Sequence, residues 1–174
     1  LKKEINGKIH HSCFLNTHTS RQAHSNPNLA QVPSAHEYRE LFIPGHNRVQ
    51  VGADASGLEL RCLGHYLAPF DGGKFAKEVV EGDIHTALAE IYKTSRKDGK
   101  GVTYCLIYGG GDHKLGLTAG ASKRHASAKG KEIRQRIMEG LDGFAELNKA
   151  IQARAESDVL RGLDGRPIRL QGKR

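Results

Sequence analysis

Two stretches decide the fold: Asp54-Ala55-Ser56-Gly57-Leu58-Glu59-Leu60-Arg61, and Arg96-Lys97-Asp98-Gly99-Lys100-Gly101-Val102-Thr103-Tyr104-Cys105-Leu106-Ile107-Tyr108-Gly109. The first closes an alternating segment in which Val49, Val51 and Ala53 are interleaved with Gln50, Gly52 and Asp54. That period of two predicts a strand with one buried face, ending on a carboxylate. Ser56 then reads as a helix N-cap with Glu59 as its capping-box partner. Leu58, Cys62, Leu63, Tyr66 and Leu67 follow at helical spacing until Pro69, where the helix is expected to stop. A carboxylate between a strand and a helix is a common functional position. Asp54 can ligate a hard divalent cation, or it can simply cap the following turn.

The second stretch predicts a helix over 96–109. Residues four apart share a helix face, so Arg96, Lys100, Tyr104 and Tyr108 form one stripe roughly 18 Å long. The cations lie at the N-terminal end, where the helix dipole adds its own positive charge. Such a surface can hold a polyphosphate at one end and a base and sugar at the other. Spacing alone favours the plainer reading, a solvated basic turn followed by two core tyrosines. Gly99 and Gly101 each cost this helix about 1 kcal/mol relative to alanine, and Gly109-Gly110-Gly111 is expected to end it.

The rest of the chain bounds these readings. Its 174 residues make one domain, or pieces of two subdomains sharing a core. Hydrophobic residues are 37%, with no Trp, one Met and 21 Gly, so the expected core is thin. A net charge of +8, from 27 Lys and Arg against 19 Asp and Glu, suits a polyanionic partner. Cys13, Cys62 and Cys105 are odd in number and widely spaced, which points to a reduced, cytoplasmic setting rather than a disulfide framework. No apolar run is long enough for a membrane span, and no signal peptide is recognisable. The chain starts at Leu1 rather than Met, which fits a piece of a longer protein.

Residues 1–47 are polar and rich in His, Asn and Ser, with a short strand expected at Lys8–His10 and turns at Asn26–Asn28, Val32–Ser34 and Pro44–Asn47. Within them, Arg21, Asn28 and Gln31 have the chemistry to donate to phosphates and minor-groove acceptors, though they also fit an ordinary polar loop. His10, His11, Cys13, His18 and His24 come with no C-x₂₋₄-C pair to complete a known finger, so no zinc site is expected. Asp83 reads as the cap of a helix running to about Tyr92. Ile133, Ile137, Leu141, Phe144, Leu147 and Ile151 mark a long amphipathic helix over 122–158, with a break near Gly140 or Gly143. Leu163-Asp164-Gly165-Arg166 is a hairpin turn leading into a strand at Pro167–Leu170. There is no internal repeat, no nucleophile elbow and no Walker-type loop.

Taken together, these motifs resemble family A DNA polymerases, the bacterial polymerase I group. DASGLELR is similar to the family's first catalytic motif, and RKDGKGVTYCLIYGGG to its fingers helix. TSRQAHSNPNLAQVP resembles the segment that meets the primer–template duplex, and GDIHT at 82–86 the stretch carrying a triphosphate-contacting His. The wording is nearest to the replicative enzymes of T-odd-type podophages. The resemblance runs from about residue 7 to residue 170 and implies an α/β (α+β) fold: palm strands plus a mainly helical fingers subdomain, part of a right-hand polymerase. It divides the chain into a partial palm at 1–82, fingers at 83–157 and a return hairpin at 158–174.

The resemblance also implies roles. Asp54 and the main-chain carbonyl of Ala55 would hold two Mg²⁺ ions. Glu59 would block the 2′ position of a ribonucleotide and hydrogen-bond to Tyr108. Arg96 and Lys100 would hold the triphosphate, helped by His85 and Arg61, with Lys100 counted beside Asp54 as catalytic. Tyr104 would stack by the sugar and base, and Tyr108, followed by Gly109, would occupy the template-base position. Arg21, Asn28 and Gln31 would touch the duplex. The implied partners are primer–template DNA and a deoxynucleoside triphosphate, with no membrane, and the implied reaction is attack of a primer 3′-hydroxyl on the α-phosphorus.

Some positions depart from the family pattern. Ser20 stands where Gly is usual, and the family's third motif, His-Asp-Glu, does not occur in these 174 residues. The chain alone is therefore expected to be inactive. A single-subunit phage RNA polymerase shares the strand acid and the fingers Arg, Lys and Tyr-Gly, but has no use for Glu59. A non-catalytic basic nucleic-acid-binding module is the alternative outside enzymes.

Overall fold

The computed structural model describes residues 4–15, 17 and 21–170. His18, Thr19 and Ser20 of the sequence motifs lie outside the described residues. The chain divides into two compact units, one taking in the described residues through 54 and from 161 onward, the other being 55–160.

The first unit is built from short strands. Glu4–Ile5 (β1) pairs with Lys8–Ile9 (β2) across a turn in which Asn6 and Gly7 both take positive φ. Ser12–Phe14 (β3) pairs antiparallel with Ala23–Ser25 (β4). A 3₁₀ turn at Leu29–Gln31 follows, capped by Asn28, whose side chain accepts a bond from the Ala30 amide at 3.1 Å. His36–Arg39 forms the one-turn helix α1. None of the described residues of this unit is buried.

The expected strand at 49–54 does not form. Val49 and Val51 are 84% and 86% exposed, and no described strand pairs with them. An apolar alternation becomes a strand only when a neighbour takes up its ladder hydrogen bonds and covers its apolar face. Late in the chain, Val159–Arg161 (β5) and Pro167–Arg169 (β6) form a two-stranded sheet, with Gly165 at φ 78° in the turn.

The second unit carries the core. Its helices are Leu58–Asp71 (α2), Lys74–Glu81 (α3), Ile84–Tyr92 (α4), Arg96–Ile107 (α5), Asp112–Thr118 (α6), Ala126–Gly140 (α7) and Phe144–Ala155 (α8). Leu60 and Leu67 of α2, Phe75 of α3, Leu88 and Tyr92 of α4, Val102 of α5, Leu115 of α6, Ile133 and Ile137 of α7 and Leu147 of α8 form one apolar cluster. Tyr92 is fully enclosed, and burial pushes its hydroxyl up to about 12, opposed by a contact with the Thr103 side chain at 3.3 Å.

Several local expectations are corrected. The N-cap of α2 is Gly57 in the left-handed region, not Ser56, so the capping box is not made. Glu59 is instead engaged by Tyr108, and the Ser56 carbonyl accepts from Arg61 Nε at 2.9 Å. The buried face of α2 is Leu60, Gly64, Leu67 and Asp71, while Leu58 and Tyr66 are exposed. The helix also runs through Pro69 to Asp71. Proline frees the carbonyl four residues back, and His65 there is exposed, so water can take up that group.

Helices α3 and α6 were not expected. The buried Asp71 carboxylate receives the Gly73 and Phe75 amides at 2.7 and 2.8 Å, which starts α3 from outside the helix. The long helix expected over 122–158 is α7 and α8, broken by extended Leu141 and by Gly143 at φ 76°.

Gly99, which looked costly for α5, has a packing reason: a Cβ there would lie 2.8 Å from the Cβ of Ala89. Helices α4 and α5 can approach this closely only without that atom.

Candidate functional site

Arg96, Lys100 and Tyr108 are exposed along α5, Tyr104 is half-buried, and Gly99, Val102, Thr103 and Cys105 face the core. The i, i+4 stripe is therefore the free face of the helix. Tyr108 is 55% exposed, which rules out the plainer reading of two core tyrosines. Ser95 caps α5 by accepting from the Asp98 amide at 3.1 Å, so the cations sit over the first turns, where the helix dipole is positive.

Helix α4 supplies a second wall. Asp83, its N-cap, accepts from the Thr86 amide and hydroxyl. The same carboxylate receives Arg96 Nε at 2.9 Å and Nη2 at 3.1 Å, a two-point bond that aims the guanidinium. The Arg96 and Thr86 bonds hold the Asp83 carboxyl far below the usual carboxylate range. Two residues after Asp83, the His85 ring lies 6.4 Å from the Tyr104 ring, centroid to centroid. Its Nδ1 is buried with no hydrogen-bond partner among the described residues. Burial first, then the positive charges of Lys100 and Arg96, lowers the His85 imidazole from its ordinary range. Lys100 makes no ion pair among the described residues. Two cations, an orphan imidazole nitrogen and an aromatic face thus converge on one surface. Buried polar atoms are nearly always paired, so an unpaired one beside two cations marks His85 as a candidate functional residue.

At the far end of the stripe, the Tyr108 hydroxyl donates to Glu59 Oε1 at 2.5 Å, joining α5 to the first turn of α2. Gly109, at φ 72°, ends α5, and Arg134 of α7 ties the following turn by donating to the Gly110 carbonyl at 2.9 Å and to Asp112 at 2.8 Å. Arg61 is turned back on Ser56, donating to its carbonyl. Asp54 is the exposed last residue of the first unit, and Ala55 opens the second. Arg21, Asn28 and Gln31 are exposed on the first unit. Asp83 was legible in the sequence only as a helix cap; its grip on Arg96 was not.

The family model for DNA polymerase family A matches residues 1–167. The chain belongs to family A. The DNA-directed DNA polymerases of Escherichia phage T7 and Enterobacteria phage T3 are each 37% identical to it over 197 residues, covering 95% of this chain and 27% of theirs. DNA polymerase I of Caldicellulosiruptor bescii is 29% identical over 138 residues, covering 70% of this chain and 16% of its own. The chain thus spans about a quarter of the length of the phage relatives. Its fold is also similar to the POL domain of Pol1 from M. smegmatis, solved with DNA primer-template and dNTP, at a TM-score of 0.68 and 19% identity, covering 97% of this chain and 32% of that one. Among the described residues, no helix is long and apolar enough to cross a membrane.

Proposed function

We propose that this chain is the palm–fingers segment of a DNA-directed DNA polymerase, which adds deoxynucleotides to a primer 3′-hydroxyl and releases pyrophosphate. The observation that carries this reading is the convergence of His85, Arg96, Lys100 and Tyr104 on the free face of α5, continued by the Tyr108–Glu59 bond. In this reading residues 1–82 belong to the palm, 83–157 are the fingers, and 158–174 return toward the palm.

Each side chain then has a physical task. Arg96, aimed by Asp83, and Lys100 bind the triphosphate and neutralise charge as pyrophosphate leaves. His85, beside both cations, places its imidazole where a protonated ring would donate to a phosphate oxygen. Tyr104 supplies a face for the sugar and base. Glu59, fixed by Tyr108, fills the space a 2′-hydroxyl would need, which favours a deoxynucleotide over a ribonucleotide enzyme. Arg21, Asn28 and Gln31 meet the duplex.

Family A chemistry uses divalent metal. Asp54 offers exposed carboxylate oxygens, which suit a hard cation, and with the Ala55 carbonyl it would supply part of an Mg²⁺ shell completed by phosphates and water. A divalent cation held there would supply positive charge to the reacting phosphate oxygens. No second motif acid occurs in these residues, so the isolated chain is expected to bind DNA without extending it.

Fluorescence anisotropy with labelled primer–template DNA tests this reading. Affinity should fall steeply between about 50 and 200 mM salt, as counterion release requires, and a primer-extension assay should show no added nucleotide. Salt-insensitive binding, or robust extension by the chain alone, would refute the assignment.

A pH signature follows for the complete enzyme. With no nucleotide bound, burial first, then Lys100 and Arg96, disfavours the charged form of His85. A triphosphate cancels the repulsion from those cations, which raises the imidazole and makes binding take up a proton. Nucleotide affinity should therefore increase as pH drops through and below the ordinary imidazole value of about 6.5. The comparison is with His85→Gln, which shares any titration of the nucleotide itself. Identical pH profiles would remove His85 from the phosphate site.

A further inference from the structure

The first unit holds a group of donors that the nucleotide site does not use. In the β3–β4 hairpin Cys13 pairs directly with His24. Side chains alternate along a strand, so His11, two residues before Cys13, projects to the same face. The hairpin register therefore brings His24 beside two donors more than ten residues earlier in the sequence. His11 Nε2 is 3.0 Å from Cys13 Sγ, and Cys13 Sγ is 3.4 Å from His24 Nδ1. The two imidazoles stack with centroids 5.2 Å apart and an interplanar angle of 15°. One ligand atom from each residue lies within 4.8 Å of the other two.

Bond lengths of about 2.0–2.1 Å to nitrogen and 2.3 Å to sulfur place neighbouring donors of a tetrahedral zinc ion roughly 3.3–3.6 Å apart. The two nitrogen–sulfur separations, 3.0 and 3.4 Å, lie within a few tenths of an ångström of that range, and all three donors fall within 4.8 Å of one another. His11 and Cys13 are exposed and His24 is half-buried, so small side-chain rotations can close the set without moving the core.

We propose that His11, Cys13 and His24 form a binding site for a zinc-type divalent cation, with water in the fourth position. Two imidazoles and a thiolate are a borderline-to-soft donor set; they select Zn²⁺ or Co²⁺ and discriminate against Mg²⁺, which wants oxygen. The site is thus chemically separate from the metal chemistry of nucleotidyl transfer, and it does not depend on that reading. Its structural consequence is local. Two strands of three residues are marginal by themselves, and a bound cation would cross-link them at the residue that leads into the Asn28-capped turn.

The test uses the 174-residue chain, stripped with chelator and titrated with Co²⁺, then with Zn²⁺ as competitor. One equivalent of Co²⁺ should give a sulfur-to-cobalt charge-transfer band and the intense visible bands of a tetrahedral ion, both displaced by Zn²⁺. Cys13→Ser should abolish the charge-transfer band. Cys13→His should keep one equivalent of Zn²⁺ without that band, which separates loss of a ligand from loss of the fold. His24→Ala should weaken Zn²⁺ at least about tenfold, while His10→Ala should bind as the parent does. The proposal is overturned if no thiolate band appears, if Cys13→Ser and His24→Ala bind Zn²⁺ as tightly as the parent, or if His10→Ala weakens binding as much as His24→Ala does.

Discussion

Gly130→Ala is expected to lower the melting temperature of the chain by more than about 10 °C. Helices α6 and α7 cross with glycine on both sides of the contact. A Cβ at Gly130 would fall well inside the van der Waals shell of the Asp112 carbonyl oxygen, and one at Gly116 would do the same to the Ala126 carbonyl. Both obstacles are backbone, which cannot rotate away as a side-chain tip can. Overpacking of this kind costs about 3 kcal/mol or more when nothing yields. In a unit of this size each kcal/mol shifts the midpoint by roughly 4–8 °C. The effect should also reach the candidate site, because Arg134 on α7 holds Asp112 and the Gly110 carbonyl just beyond Tyr108. Gly111→Ala is the control: it is the N-cap position of α6, next to Asp112, with φ −68° and nothing within 4 Å of its would-be Cβ. Its cost should stay within about 1 kcal/mol, that of a weaker N-cap residue. Equal melting curves for the two variants would show that the helix crossing relaxes at little cost.

The same crossing illustrates what sequence reading could and could not reach. The stripe on α5 was legible because helix periodicity is local: four-residue spacing puts Arg96, Lys100, Tyr104 and Tyr108 on one face whatever surrounds them. Asp83 as a cap was legible for the same reason. Helix α6 was hidden because it begins at Gly111 with no side-chain cap and runs only seven residues. Helix α3 was hidden because its cap comes from Asp71, two residues ahead of the N-cap position and in the preceding helix. The segment at 49–54 failed in the opposite direction: its alternation fits a strand, but pairing is a tertiary property that no local pattern supplies. Ser56 and Glu59 satisfied a capping pattern, yet Glu59 is engaged by Tyr108 from a distant helix. The glycines at 99 and 101 looked like helix defects, and at Gly99 the missing Cβ admits Ala89 of α4. The grouping of His11, Cys13 and His24 depended on hairpin register, which linear spacing does not encode.

In the complete enzyme, Lys100→Ala should lower kcat/KM for nucleotide by about 10²–10³-fold, the usual scale for removing one preorganised charged donor at a phosphoryl centre. That corresponds to roughly 3–4 kcal/mol of transition-state stabilisation. Lys100 is the sharper probe of the two cations. Arg96 is bound to Asp83, so replacing it also frees the carboxylate that caps α4 and disturbs the wall carrying His85. Lys100 is exposed and makes no ion pair among the described residues, and alanine is the better helix former, so the fold should be unaffected. Removing its charge also relieves the repulsion that lowers His85. The pH dependence of nucleotide binding should therefore shrink in the same variant, linking the two residues through one measurement. Affinity for primer–template DNA should change by less than about twofold, because one surface cation among many contributes little to duplex binding at moderate salt. The two readouts divide the alternatives. A large loss in kcat/KM with DNA affinity retained places Lys100 on the triphosphate. An unchanged nucleotide KM with weakened DNA binding would move it to the duplex and remove half of the cationic surface on which the nucleotide site rests.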